Sequence, residues 1–359
     1  MRLAMAMLLL ATACNPITPL KADGGDAGSD DAGMAFDAGT DADAGLSGTV
    51  FVEPLLEARV RLGARSAAGY RPWRGGIAVV AGSLYWVESS TASSGLYRMP
   101  LGGCVGASGS CPERLTGLTR PSVFAATTDA VLVADVNLLK RYPVNGAPET
   151  VASGASELVL LATDGAAAYW ATERAPIFKT PFGGATSTLI NSNGSPFAMT
   201  IAGDRLQWVG VDISGLQAVM QSIRTVGTGA REERRSGNGF QTMKGDSRYL
   251  YFARDSMPAT VLRQTVSNGL IETIALDAQG VTDFALDNNY AWWVEPGSSG
   301  LANGRLRRVA HESVRAETVA EAIPWPVGVA VSGGVAYVLS AGTQAEAYAD
   351  GKILRVSYR

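Results

Sequence analysis

Short runs in which apolar and polar residues alternate, bounded by Gly, Asn, Asp and Ser, fill most of the chain and predict β-strands joined by tight turns. The stretch LYWVESSTASSGLYRMPLGG, Leu84 to Gly103, reads as an aromatic strand, a polar loop, a second strand and a Gly-Gly turn. Nearly the same phrase returns as AYWATERAPIFKTPFGG at Ala168 to Gly184. Anchored on the second residue of LYW, it recurs at Tyr85, Leu132, Tyr169, Gln207, Tyr251, Trp292 and Tyr337, at spacings of 47, 37, 38, 44, 41 and 45 residues. An apolar strand ending in a turn, such as IAVVAGS or VAVSGG, precedes the anchor. A third strand such as GLYRMPL or PIFKTPF and a fourth such as ETVASG follow it. Four short strands in a unit of about 40 residues make the blade of a β-propeller.

Seven anchors predict an all-β, seven-bladed ring of four-stranded antiparallel blades; an open or six-bladed ring with one odd unit is the alternative. The second strand of a blade is covered on both faces, so its large side chains fill the wedge between blades. Trp86, Trp170, Trp208, Phe252, Trp293 and Val338 are therefore expected in the core. Gly102-Gly103, Gly183-Gly184, Asn145-Gly146 and Asn268-Gly269 are read as hairpin turns, not phosphate loops. The last unit stops at its third strand, KILRVSYR. Its fourth is expected from EARVRLGA, Glu57 to Ala64, which would close the ring by pairing the chain's two ends.

Composition fits this class: 47% hydrophobic content can fill a large core, and 42 glycines and 16 prolines supply turns. The first residues, MRLAMAMLLLATAC, read as a secretory signal over 1–13. They resemble a bacterial lipoprotein signal, which implies acylation of Cys14, and Asn15 in place of the retention Asp implies the outer membrane, facing periplasm or cell surface. No later run of about 18 apolar residues reads as a spanning helix. Residues 14–45 form an expected disordered tether, whose stretch from Lys21 to Gly45 carries seven Asp and one Lys. It lacks the spacing and terminal Glu of a calcium loop. With Arg2 at +1 and the tether at −6, the total of −3 leaves residues 46–359 at +2, which removes the electrostatic case for nucleic acid.

The Tyr-Trp dyads at Tyr85-Trp86 and Tyr169-Trp170, with acids in the motif's Asp place at Glu88, Asp135 and Glu295, resemble the YWTD and related NHL or TolB-like propellers of exported proteins. Thr172, Gly210, Arg254 and Ser340 depart from the motif, and YWTD rings usually have six blades. The resemblance implies that the acids brace one blade against the next. The single histidine, His311, falls on the hairpin after a third strand, away from the channel mouth, and no nucleophile elbow or metal-ligand spacing is present. No cofactor is expected. REERR, Arg231 to Arg235, reads as a solvated hairpin tip between third and fourth strands.

These features point to a membrane-anchored binding module whose partner is an envelope protein or polysaccharide. The alternative is a carbohydrate-active enzyme or lyase using carboxylates at the channel mouth. Trp73 and Trp325 each lie twelve residues before an anchor, at the entry to the innermost strand. Arg120 and Glu157 share that place, and Arg74 and Phe240 lie one position inward, so these six form the candidate rim. Export and a six-residue gap predict a disulfide between Cys104 and Cys111.

Replacing Cys14 by Ser is expected to release the protein from membranes and to abolish incorporation of a clickable palmitate. Equal labelling of both forms would reject the lipid anchor.

Overall fold

The computed structural model describes residues 49–358 except 61–75, 90–93, 105–110, 155–156, 173–175, 191–195, 212–217, 227–231, 236–239, 255–257, 299–300 and 344–349. The signal, Cys14 and the acidic tether lie outside these residues.

Seven four-stranded antiparallel sheets follow one another as the blades of a propeller, and no helix occurs among the described residues. From innermost to outermost strand, blade 1 is Ile77–Val80, Ser83–Glu88, Gly95–Pro100 and Glu113–Gly117. Blade 2 is Pro121–Ala126, Ala130–Asp135, Leu138–Pro143 and Glu149–Ser153, and blade 3 is Leu158–Thr163, Ala167–Thr172, Ile177–Pro181 and Ser187–Ile190. Blade 4 is Pro196–Ala202, Arg205–Val211, Ala218–Arg224 and Glu232–Arg235, and blade 5 is Phe240–Gly245, Tyr249–Arg254, Ala259–Thr265 and Ile271–Ala278. Blade 6 is Asp283–Leu286, Tyr290–Glu295, Gly304–Ala310 and Glu317–Ile323. Blade 7 takes Pro326–Ser332, Val335–Ser340 and Gly351–Tyr358 from the C-terminal end of the chain and its outer strand, Val50–Val60, from the N-terminal side.

The anchors explain why the blades stack. Side chains alternate across a strand, so the two members of each dyad enter different interfaces. Tyr85 packs with Val133 between blades 1 and 2, Tyr169 with Trp208 between 3 and 4, Tyr251 with Trp293 between 5 and 6, and Tyr337 with Trp86 between 7 and 1. Leu132 meets Trp170, and Trp292 meets Val338, by the same rule. Trp86, Trp208, Trp292 and Trp293 are fully buried, as the pattern requires. Trp86 and Trp170 also stack on their third-strand partners Tyr97 and Phe178, at 5.6 and 4.4 Å between ring centroids.

The turns into the second strands are capped by acids five residues before the anchor. Oδ1 of Asp164, Asp246 and Asp287 accepts two backbone N–H groups apiece at 2.7–2.9 Å, the Asx-turn geometry. In blades 3 and 6 the second oxygen takes the polar tip of the anchor: Tyr169 OH donates to Asp164 and Trp292 Nε1 to Asp287. Gly103 and Gly183 adopt the positive φ expected of the Gly-Gly turns, +82° and +75°.

Two expectations need correction. The closing strand is Val50–Val60, which begins seven residues before the expected 57–64 and includes 57–60 of it, 61–64 lying outside the described residues; Val50 to Leu56 supply most of its register with Gly351–Tyr358. The VFVEPLLEA segment has the same alternation as EARVRLGA and continues directly into it, so local pattern did not choose between them. The REERR stretch is not a hairpin tip, because Glu232–Arg235 is the outer strand of blade 4, paired with Val219 to Ser222. An outer strand has only one inner neighbour and shows little apolar signal.

Cys104 and Cys111 are disulfide-bonded, with Cα atoms 5.4 Å apart. Both pack against the cluster that joins blades 7 and 1, next to Leu55 and Leu56 of the closing strand. The bond closes a small loop, worth about 2.5 kcal/mol in the chain-entropy treatment, beside the one interface held by strands from opposite ends of the chain.

A chain beginning at Tyr70 loses the outer strand of blade 7 and exposes the edge of Gly351–Tyr358. It is expected to melt well below one beginning at Leu46 and to aggregate. Equal melting temperatures in a thermal scan would contradict closure by the N-terminal strand.

Candidate functional site

The segments leading into the innermost strands are shaped by side chains at the end of the second strand, three residues after the anchor. Asp135 accepts the backbone N–H of Thr119 at 3.0 Å and of Arg120 at 2.6 Å. Glu295, fully buried, accepts Gln279 N–H at 3.0 Å and Trp293 Nε1–H at 2.9 Å, and Arg305 donates to it as well. Ser340, at the same place in blade 7, donates to the Pro324 carbonyl although it departs from the motif. Glu88 accepts Trp86 Nε1–H at 3.1 Å. Asp135 and Glu295 thus hold the crossover from the preceding blade, whereas Glu88 bonds within its own strand.

Of the six candidate rim residues, the structure brings together two. Arg120 and Glu157, at the entries to blades 2 and 3, form an ion pair at 2.9 Å, with side chains 59% and 29% exposed. Trp325 sits between Pro324 and Pro326 with φ at +41°, and its carbonyl accepts Ala341 N–H at 3.0 Å. It is half-buried against the cluster joining blades 7 and 1. Phe240 opens the inner strand of blade 5, paired with Arg254. Trp73 and Arg74 lie outside the described residues.

Inside the ring, a cavity of about 230 Å³ is walled by innermost strands and lined largely by apolar residues such as Ile77, Phe124, Phe284 and Val329. Lys244 and Asp283 are the ionisable residues of that described lining. Both Asp283 oxygens accept backbone N–H groups, from Phe284 at 2.9 Å and from Val329 of the next blade at 3.0 Å.

No protein-family model and no curated protein sequence matches the chain. Among solved structures, it is similar to a chain of the mitotic checkpoint complex, with a TM-score of 0.61 and 10% identity over 86% of this chain and 94% of that one. A puromycin-hydrolysing peptidase of Mycobacterium tuberculosis gives 0.57 and 12%, covering 84% of this chain and 53% of the peptidase. The computationally designed protein Ika8 gives 0.52 and 10%, covering 77% and 81%. At such identities the likeness is one of fold.

One recurring feature escaped the sequence reading. Opposite the anchor, the third strand has a cation in six blades: Arg98, Arg141, Lys179, Arg263, Arg308 and Arg355. Five of them meet a glutamate of the outer strand. Arg98–Glu113, Arg141–Glu149, Arg263–Glu272 and Arg355–Glu53 lie at 2.6–2.9 Å, and Arg308 pairs with Glu317. Arg308 also lies over the rings of Tyr290 and Trp292, and Lys179 over Tyr169. The signal was present in the YR, KR, FK and LR pairs of the third strands. It was hidden because the distance from anchor to cation runs from 9 to 18 residues with loop length.

His311 lies on the expected hairpin and is 2% exposed. Burial pushes the Tyr251 phenol up to about 12, so its hydroxyl stays protonated and can donate to His311 Nδ1 at 3.0 Å. His311 Nε2 faces the Asp287 carbonyl at 2.8 Å and must therefore donate. The ring ties blade 5 to blade 6.

Glu295→Gln is expected to lower stability by about 3 kcal/mol, since it strips the charge from a buried acid that Arg305 and Arg307 flank. Arg120→Ala, which breaks an exposed pair, should cost less than about 1 kcal/mol. Urea denaturation of the two variants checks the contrast, and similar midpoints would contradict it.

Proposed function

We propose that this protein is a lipid-anchored propeller of the bacterial outer membrane that binds an envelope protein or polysaccharide through the face carrying the crossovers into the innermost strands. The signal and Cys14 supply the anchor, and the tether of residues 14–45 gives a root-mean-square reach of roughly 28–34 Å. A closed ring on such a tether is a rigid platform that can meet partners away from the bilayer.

The observation that carries the binding face is the backbone at Trp325. A tryptophan with φ at +41° is in a region that costs a bulky L-residue on the order of 1–3 kcal/mol. Strain of this kind is retained where surrounding contacts enforce it. Here Pro324, Pro326 and the bonds from Ser340 and Ala341 do so. Trp73 stands at the equivalent position of blade 1, the neighbour across the closure. Two tryptophans with prolines beside them in sequence, Pro72, Pro324 and Pro326, add apolar area with little rotamer entropy to lose, which suits a sugar ring or a partner's side chains.

The double variant Trp73→Ala, Trp325→Ala is expected to lose capture of isolated envelope polysaccharide or envelope proteins while nearly keeping its melting temperature. A large fall in melting temperature, or unchanged capture, would assign the pair to packing and remove this face from the binding reading.

A further inference from the structure

Blade 4 breaks the repeat at two positions that touch. Its anchor is Gln207, where five blades have an aromatic and blade 2 has Leu132, and the opposite third-strand residue is Ser222, where the other six blades have a cation. Val209 and Met220 pack toward blade 5, so by alternation Gln207 and Ser222 face it as well. From blade 5, Gln264 faces them, on the same side of its sheet as Leu262 and cross-strand partner Leu250.

The result is a cavity of about 150 Å³ between blades 4 and 5, lined by Arg205, Gln207, Ser222 and Gln264 together with Met220 and Leu250. It does not arise from loose blades. At the inner end Gly245 lies so close to blade 4 that an added Cβ would meet Ile201 O at 2.5 Å and Ala202 Cβ at 2.6 Å. Its N–H donates to Thr200 Oγ1 at 3.1 Å, and Gly203 N–H donates to Asp246 O at 2.8 Å. The space opens only where the repeat's large side chains are replaced.

We propose that this cavity binds a single neutral sugar ring. Two carboxamides and a hydroxyl each donate and accept hydrogen bonds, which is also what ring hydroxyls do. Arg205 is already engaged, with Nε donating to Ser222 Oγ at 3.0 Å, and its guanidinium adds donors to the wall. Met220 and Leu250 give the C–H face of a ring an apolar surface. A cavity of about this volume holds a benzene-sized group, so a hexose would seat one edge of its ring there and keep the rest at the opening. The site stands on its own geometry and does not rest on the binding face at Trp325.

The test titrates purified full-length protein with free glucose, galactose, mannose and N-acetylglucosamine, with acetate and lactate as carboxylate controls, followed by saturation-transfer NMR. At least one hexose is expected to bind with millimolar Kd, as fits so few contacts. Gln207→Tyr, which restores the aromatic of the repeat and fills the space, should weaken that binding by about tenfold or more while the melting temperature holds or rises. Gln264→Leu keeps the volume, removes a donor and an acceptor, and should weaken it similarly, so it decides the matter if the tyrosine does not fold. Absence of hexose binding up to about 50 mM, binding that both variants leave unchanged, or binding of the carboxylates alone would overturn the proposal.

Discussion

Everything in this ring follows from covering the second strand of each blade on both faces. Neighbouring residues of a strand point to opposite sides, so a pair of large side chains there fills two different wedges. Each wedge then receives the first member of a pair from one blade and the second from the next, as with Tyr169 and Trp208 or Tyr251 and Trp293. No blade is complete by itself, and a first blade without a last leaves Trp86 half uncovered. Tyr337 of blade 7 supplies its other wall, and the strand Val50–Val60 closes the sheet to which Tyr337 belongs. Ring closure is thus a requirement of the first interface as much as of the last.

Filling wedges with Tyr and Trp brings polar tips into the interior, and these need partners. The turn acids Asp164 and Asp287 accept two of them directly. The third-strand cations Lys179 and Arg308 lie over the rings of those same two anchors, and the outer-strand Glu317 neutralises Arg308 in turn, as Glu272 does Arg263. Charge is consumed within the blade. That accounts for a domain with many arginines and a balance of only +2: Arg263 and Arg308 have side chains only 5% exposed and are parts of the fold, not a basic surface. A pair of this kind is worth little against an apolar alternative, but losing one partner leaves a costly buried charge.

The blades were legible because the dyad sits at a fixed distance from a turn whose residues are local signals: Asp164, Gly183 and their equivalents lie in the same few residues as the feature they shape. The disulfide was legible for the same reason. Features that depend on pairing between distant segments were not. Glu53 belongs with Arg355 through the closing register, and nothing near Glu53 marks it. The ion pair of Arg120 with Glu157 came within reach because both were placed by counting back from an anchor, yet only the crossover geometry held by Asp135 shows that they meet. At Trp325 the position before the inner strand was readable, but the positive φ was not, because tryptophan is not a residue that announces it.

Blade 4 shows how such a ring can hold a polar space in its core. Loss of one wedge aromatic costs about 3–5 kcal/mol when the space stays empty, a large part of the stability of an ordinary domain. In this interface the two departures coincide: with Gln207 in place of an aromatic, no ring is left for a cation to lie over, and Ser222 takes the cation's position. Arg205 approaches from the strand's own start and donates to Ser222, so polar groups uncovered by the change bond with each other. Gly245 and Thr200 keep the inner strands in contact, which confines the gap to the second and third strands. A random loss of packing would leave apolar walls around a void. In this gap amide, hydroxyl and guanidinium groups share the walls with Met220 and Leu250, a mixture that fits occupancy by a molecule with polar and apolar faces better than emptiness.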